Sequence, residues 1–163
     1  MMKRILVSVL LTVTGMNLQA APIDAVGLVI GEPTGLTAKK WLDDDRALTA
    51  GLGWSLGRDT EVYLSADYLF HEDQWLDSVT LPRELDGRLA PYWGVGGRFE
   101  LDDEAPRENQ DDDWVAGVRF PVGLTYLFAQ SPFDVFIEIA PGMDLLPSTD
   151  LRIEAALGGR FYF

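Results

Sequence analysis

The chain predicts an all-β protein, an eight-stranded antiparallel up-and-down β-barrel that crosses a membrane after its signal peptide is removed. Three observations carry that prediction. Apolar and polar residues alternate with a period of two through eight segments separated by Gly, Pro and Asp clusters, the pattern of strands lying between two different environments. The less apolar face carries Gly51, Gly53, Gly94, Gly96, Gly117, Gly123, Gly142 and Gly158 with Tyr63, Tyr92 and Phe136. A water-facing sheet would show Lys, Glu and Thr there; glycines suit a crowded barrel interior, and the large residues of the other face suit lipid. Aromatic residues then fall at two levels when the strands are threaded alternately up and down, as girdles at two membrane interfaces would.

Taken in order, Lys3 and Arg4 form a basic start, residues 5–16 an apolar stretch, and Leu18, Gln19 and Ala20 a small-residue cleavage site. This reads as a secretory signal peptide over residues 1–20, cut after Ala20 or Ala21, with the barrel over 21–163. Its apolar part is too short for a membrane helix, and nothing later approaches the ~20 apolar residues such a helix needs. The predicted strands are 23–31, 36–42, 47–56, 62–71, 89–101, 114–128, 133–144 and 150–163. In the third, Leu48, Ala50, Leu52, Trp54 and Leu56 oppose Thr49, Gly51, Gly53 and Ser55. In the last, Leu151, Ile153, Ala155, Leu157, Gly159, Phe161 and Phe163 oppose Asp150, Arg152, Glu154, Ala156, Gly158, Arg160 and Tyr162. Two places fit less well. Lys40 has lipid-facing parity beside the turn at Asp43, where snorkelling or a bulge would relieve it. Residues 71–87 are long for a periplasmic turn, and Val79, Leu81 and Leu85 suggest that strands four and five simply extend.

Composition bounds function. The 163 residues suit one domain, and the absence of cysteine removes disulfides and thiolate chemistry. The formal charge is −13; losing Lys3 and Arg4 with the leader makes the mature chain more acidic still, which excludes a phosphate-binding nucleic-acid surface. The acidic runs at residues 43–45, 102–104 and 111–113 read as solvated connections, with a weak divalent-cation site as the sharper alternative.

Over essentially its whole mature length the chain resembles the small eight-stranded outer-membrane barrels of the OmpA/OmpX type. The resemblance rests on Gly31-Glu32-Pro33-Thr34-Gly35-Leu36, Pro91-Tyr92-Trp93-Gly94-Val95-Gly96-Gly97-Arg98 and Gly159-Arg160-Phe161-Tyr162-Phe163. It is similar to a short Gram-negative group mostly without assigned function. The resemblance implies residence in the bacterial outer membrane, contact with outer-membrane lipid and lipopolysaccharide, periplasmic chaperones, and a barrel-assembly machinery that reads Phe161 and Phe163 in the last strand. A monomer is expected, with no nucleic acid and no cofactor.

The candidate residues follow from parity. Lys39, Asp67, Arg98, Glu100, Arg119, Asp134, Glu138, Asp144, Arg152, Glu154 and Arg160 point inward and should pair into a polar plug, because an eight-stranded barrel is filled by side chains. The girdles are Tyr68, Phe70, Trp93, Tyr126, Phe128, Phe133 and Phe161 below, and Trp54, Phe99 and Trp114 above. Some barrels of this size are lipid A deacylases or palmitoyl transferases, so an acyl hydrolase or transferase is one alternative and a carrier of small apolar ligands another. His71 is the single histidine and any Ser–His pair must use it. Ser65 and Asp67 share its face, but six residues along a strand is roughly 20 Å. His71 therefore reads as an ordinary rim residue, and no catalytic or metal site is expected. A structural or loop-mediated binding role is the expectation; the sequence names no ligand.

Overall fold

The computed structural model describes residues 23–54, 61–76, 86–102 and 114–163; the signal peptide reading lies outside them. Nine strand segments form one closed ring: β1 (Ala25–Gly31), β2 (Gly35–Trp41), β3 (Arg46–Trp54), β4 (Glu61–His71), β5 (Arg88–Asp102), β6 (Trp114–Arg119), β7 (Val122–Leu127), β8 (Phe133–Leu146) and β9 (Leu151–Tyr162). Every neighbouring pair is antiparallel, and β9 closes on β1 from Ala25↔Tyr162 to Gly31↔Ala156.

The ring nevertheless has eight positions. β6 and β7 both lie between β5 and β8, and the register Gly96↔Arg119 continues as Trp93↔Val122 without a slip. Between them Phe120 N–H donates to Pro141 O and Gly94 N–H to Pro121 O, each 2.8 Å. Pro121 has no N–H to return to β5, so the predicted strand 114–128 appears as two pieces of one strand.

Alternation sorts the side chains as expected for a wall between two media. Ala25, Thr37, Lys39, Tyr63, Asp67, Tyr92 and Phe136 are buried inside, while Val26, Leu28, Ile30, Leu48, Leu64, Val95, Val122, Ile137, Ile139, Ile153 and Leu157 face outward. The exposure of Leu28 at 63% and Ile30 at 70% belongs to the outside of the wall, not to a failed core. The lumen is filled to contact: a Cβ at Gly158 would collide with the Phe136 ring.

Tight turns join the strands. Gly31 adopts a φ of 141°, open to glycine, and Thr34 locks the turn by accepting the Gly31 N–H (3.2 Å) and donating to its carbonyl (2.9 Å). At the opposite end Asp43 Oδ1 accepts the Arg46 N–H at 2.8 Å. The described residues just after His71 and just before Arg88 do not continue β4 and β5. β4 stops pairing at His71↔Tyr92, Glu72 N–H caps Pro91 O, and the chain turns through a short 3-10 segment at Asp73–Leu76. Polar residues Glu72, Asp73 and Gln74 break the alternation there and end β4; Val79, Leu81 and Leu85 lie outside the described residues.

Candidate functional site

The chemistry of the described residues is concentrated in the lumen, in three tiers. The upper tier joins β5, β8 and β9. Arg98 is bound to Asp144 (Nε to Oδ1, 3.0 Å) and reaches Glu100 and Glu154, each at 3.3 Å, while the half-exposed Arg152 bridges Asp144 at 3.2 Å and Glu100 at 3.4 Å. A cavity of about 500 Å³ opens above it, lined by Glu32, Trp54, Tyr63, Arg98, Glu100 and Arg152 among others.

The middle tier centres on Arg119. Its guanidinium contacts Glu138 at 2.5 Å, Asp67 at 3.5 Å and Glu154 at 3.5 Å, and donates to the Tyr63 hydroxyl at 3.1 Å. Tyr63 in turn donates to Glu154 (2.9 Å) and Tyr92 to Glu138 (2.8 Å). Glu154 thus ties this tier to the one above. Arginine suits both centres because its planar fork serves several carboxylates at once.

The lower tier is built differently. Arg160 pairs with Asp134 at 3.0 Å, lies over the Phe136 ring at 4.1 Å, and Tyr162 donates to the same carboxylate at 2.6 Å. Lys39 is buried and forms no ion pair among the described residues. Its Nζ meets His71 Nε2 at 3.0 Å and sits 3.9 Å from the centre of the Trp41 ring. His71, expected at the rim, is 4% exposed inside the barrel and packs on Trp41 and Tyr92. Its parity with Tyr63 and Asp67 already pointed inward, and that was the missed signal. Among the described residues neither ring nitrogen bonds a serine: Nε2 faces Lys39, and Nδ1 has no hydrogen-bond partner. The participation of Tyr63, Tyr92, Trp41 and Tyr162 was also missed, since aromatic residues at inward positions read as packing alone.

Outside the wall, Phe70 stacks on Trp93 and touches Tyr68, Tyr126 meets Phe128, and Phe133 meets Phe161 edge-on, all near one end; Phe99 stacks on Trp114 at the other. Trp54 is outward beside the upper cavity, and exposed Trp75 lies in the 3-10 segment. Phe163 is exposed, its N–H donating to Asp24 O at 3.2 Å. Lys40 bends back to Asp24 at 3.1 Å, and the other Asp24 oxygen accepts the Trp41 N–H at 2.7 Å. That amide, with Lys40, holds the Asp24 carboxyl below its ordinary pKa.

A scan against protein-family models and a search of curated proteins each find no match. Among solved structures the barrel is similar to the crystal structure of the N-terminal β-barrel domain of Pseudomonas aeruginosa OprF. The TM-score is 0.62 and the identity 18%, over 86% of this chain and 98% of that one. At that identity the likeness speaks for fold, and together with the closed ring it shows that the chain has the architecture of the OmpA-like outer-membrane β-barrels.

Proposed function

We propose that the protein is an integral barrel of the bacterial outer membrane, delivered there by its signal peptide, with a structural or loop-mediated binding role and no catalysis. The observation that carries this reading is the outer wall. Large apolar side chains face outward on every strand position of a ring with no unpaired edge, and an apolar surface of that extent is incompatible with water. The contacts that reach across the lumen from Glu154 on β9 to Arg98 on β5 and to Tyr63 on β4 support a closed plug over an open channel. Outer-membrane lipid and lipopolysaccharide are the proposed surroundings of a monomer, and barrel-assembly factors reading Phe161 and Phe163 the proposed route.

Membrane fractionation and electrophoresis with and without boiling test the localisation. Outer-membrane recovery and heat-modifiable migration are expected; a fully soluble periplasmic protein refutes the reading. Lipid A mass spectrometry from deletion and overexpression strains tests the absence of catalysis, with an unchanged profile expected and any acyl-chain difference overturning it.

A further inference from the structure

One strip of the outer wall departs from the rest. Ala38, Ala50, Ala66 and Gly97 stand in register across β2, β3, β4 and β5, all at outward positions. The row above them is Leu36, Leu52, Leu64 and Phe99; the row below is Lys40, Leu48, Tyr68 and Val95. Small side chains beside bulky ones leave a groove of about 470 Å³ with an almost wholly apolar lining, floored by Ala38, Ala50 and Ala66. It crosses from β2 to β5, about 14 Å at the usual strand spacing. The groove is inclined, because Ala38 stands close to the lower end of β2 at Trp41 whereas Gly97 stands far from the lower end of β5 at Arg88. It therefore leaves the lower membrane interface beside β2 and climbs into the hydrocarbon toward β5.

Its lower mouth carries charge. Lys40 lines the groove and pairs with Asp24 at 3.1 Å, the two side chains 26% and 31% exposed. The ammonium has three donors and uses one on Asp24, whose oxygens accept Lys40 and the Trp41 amide, fewer bonds than a carboxylate can take. Both groups thus keep bonding capacity on the lipid side of the wall. A pair without net charge suits a headgroup that also carries both signs. A purely anionic headgroup would meet Asp24 beside Lys40, and a cationic one would meet Lys40. A primary ammonium can donate N–H bonds to Asp24, which a quaternary ammonium cannot.

We propose that this groove is the docking site of one phospholipid from the lower, periplasmic leaflet. One acyl chain lies along Ala38, Ala50 and Ala66; the headgroup is zwitterionic with a primary ammonium, its phosphate on Lys40 and its ammonium on Asp24. The site rests on the outer-membrane reading and adds to it a chosen lipid where the rest of the wall takes any.

Native mass spectrometry tests this on the mature chain, taken from vesicles holding equal amounts of phosphatidylethanolamine, phosphatidylglycerol and phosphatidylcholine with identical acyl chains. One retained phosphatidylethanolamine per barrel is expected, in excess over both other lipids. Ala50→Leu together with Ala66→Leu fills the groove and should abolish that adduct, while Ala155→Leu, on the outer face of β9, should keep it. Lys40→Gln leaves the groove open and should erase the preference for phosphatidylethanolamine over phosphatidylglycerol. Heat-modifiable migration of each sample reports the membrane barrel separately. A correctly migrating barrel that retains no phosphatidylethanolamine, or whose retention survives the two leucines, overturns the site and leaves the outer-membrane reading standing.

Discussion

Arg119 and Lys39 are both basic side chains buried in the lumen, yet their surroundings give opposite expectations. Among the described residues Arg119 is the one guanidinium contacting Asp67 and Glu138, and it also holds Tyr63 and Glu154. Arg119→Met strips those carboxylates of their counter-charge and should lower the unfolding free energy by about 3–5 kcal/mol, measured by urea titration in lipid vesicles. Lys39 contacts no carboxylate among the described residues, so Lys39→Met keeps the volume over Trp41 while removing a buried amine that no acid pairs. Its stability in the same titration should equal or exceed that of the unaltered chain, and a loss as large as that of Arg119→Met would show that Lys39 has a role the contacts do not explain. The eleven inward charges were legible one by one, because parity alone decides which face a strand residue takes. Their partners were not. Tyr63 and Glu154 meet across 91 residues and Lys39 and His71 across 32, contacts set by how the closed sheet staggers its strands.

At the scale of elements, the same parity held along the strands except at the upper end of β8. There the register to β6 shifts between Ala116 and Gly117, and Leu145 and Leu146 are both exposed. Parity survived even where the hydrogen bonding of Pro121 did not. Pro121 is buried with inward parity, between Arg119 and Gly123, so the alternation gave no warning that the strand would divide. Division came from one missing donor and not from a change of direction. Pro121→Ala should therefore fuse β6 and β7, because its carbonyl already pairs with Gly94 N–H and the new N–H would face Gly94 O. In hydrogen exchange followed by NMR, the new amide at position 121 should exchange as slowly as its neighbours in β7; exchange at the rate of an exposed loop amide would mean that the break has another cause. The stretch after β4 misled for the converse reason. Val79, Leu81 and Leu85, outside the described residues, suggested alternation, but Glu72, Asp73 and Gln74 had already ended it, and Asp73–Leu76 form a 3-10 turn.

For the whole molecule, the decisive question is what medium touches the wall. Ile139 lies midway along β8, opposite Val122 and Ala155, and Leu151 opens β9 at the upper rim; both side chains point outward. In water, arginine at either position would be an ordinary surface substitution, within about ±0.5 kcal/mol of neutral. In a bilayer the cost depends on depth, about 2–4 kcal/mol at the midplane and about 0–1 near an interface. Ile139→Arg should then cost the larger amount and Leu151→Arg the smaller, each measured by reversible unfolding from lipid vesicles. Equal and negligible costs would remove the membrane from the account, whatever the fold resembles. The gradient also separates wall from plug, because a charge added outside leaves the Arg98 and Arg119 contacts untouched. A depth-dependent penalty with the lumen intact is the behaviour of a barrel whose stability comes from two independent sources: lipid matched to its outer face, and ion pairs matched to one another within.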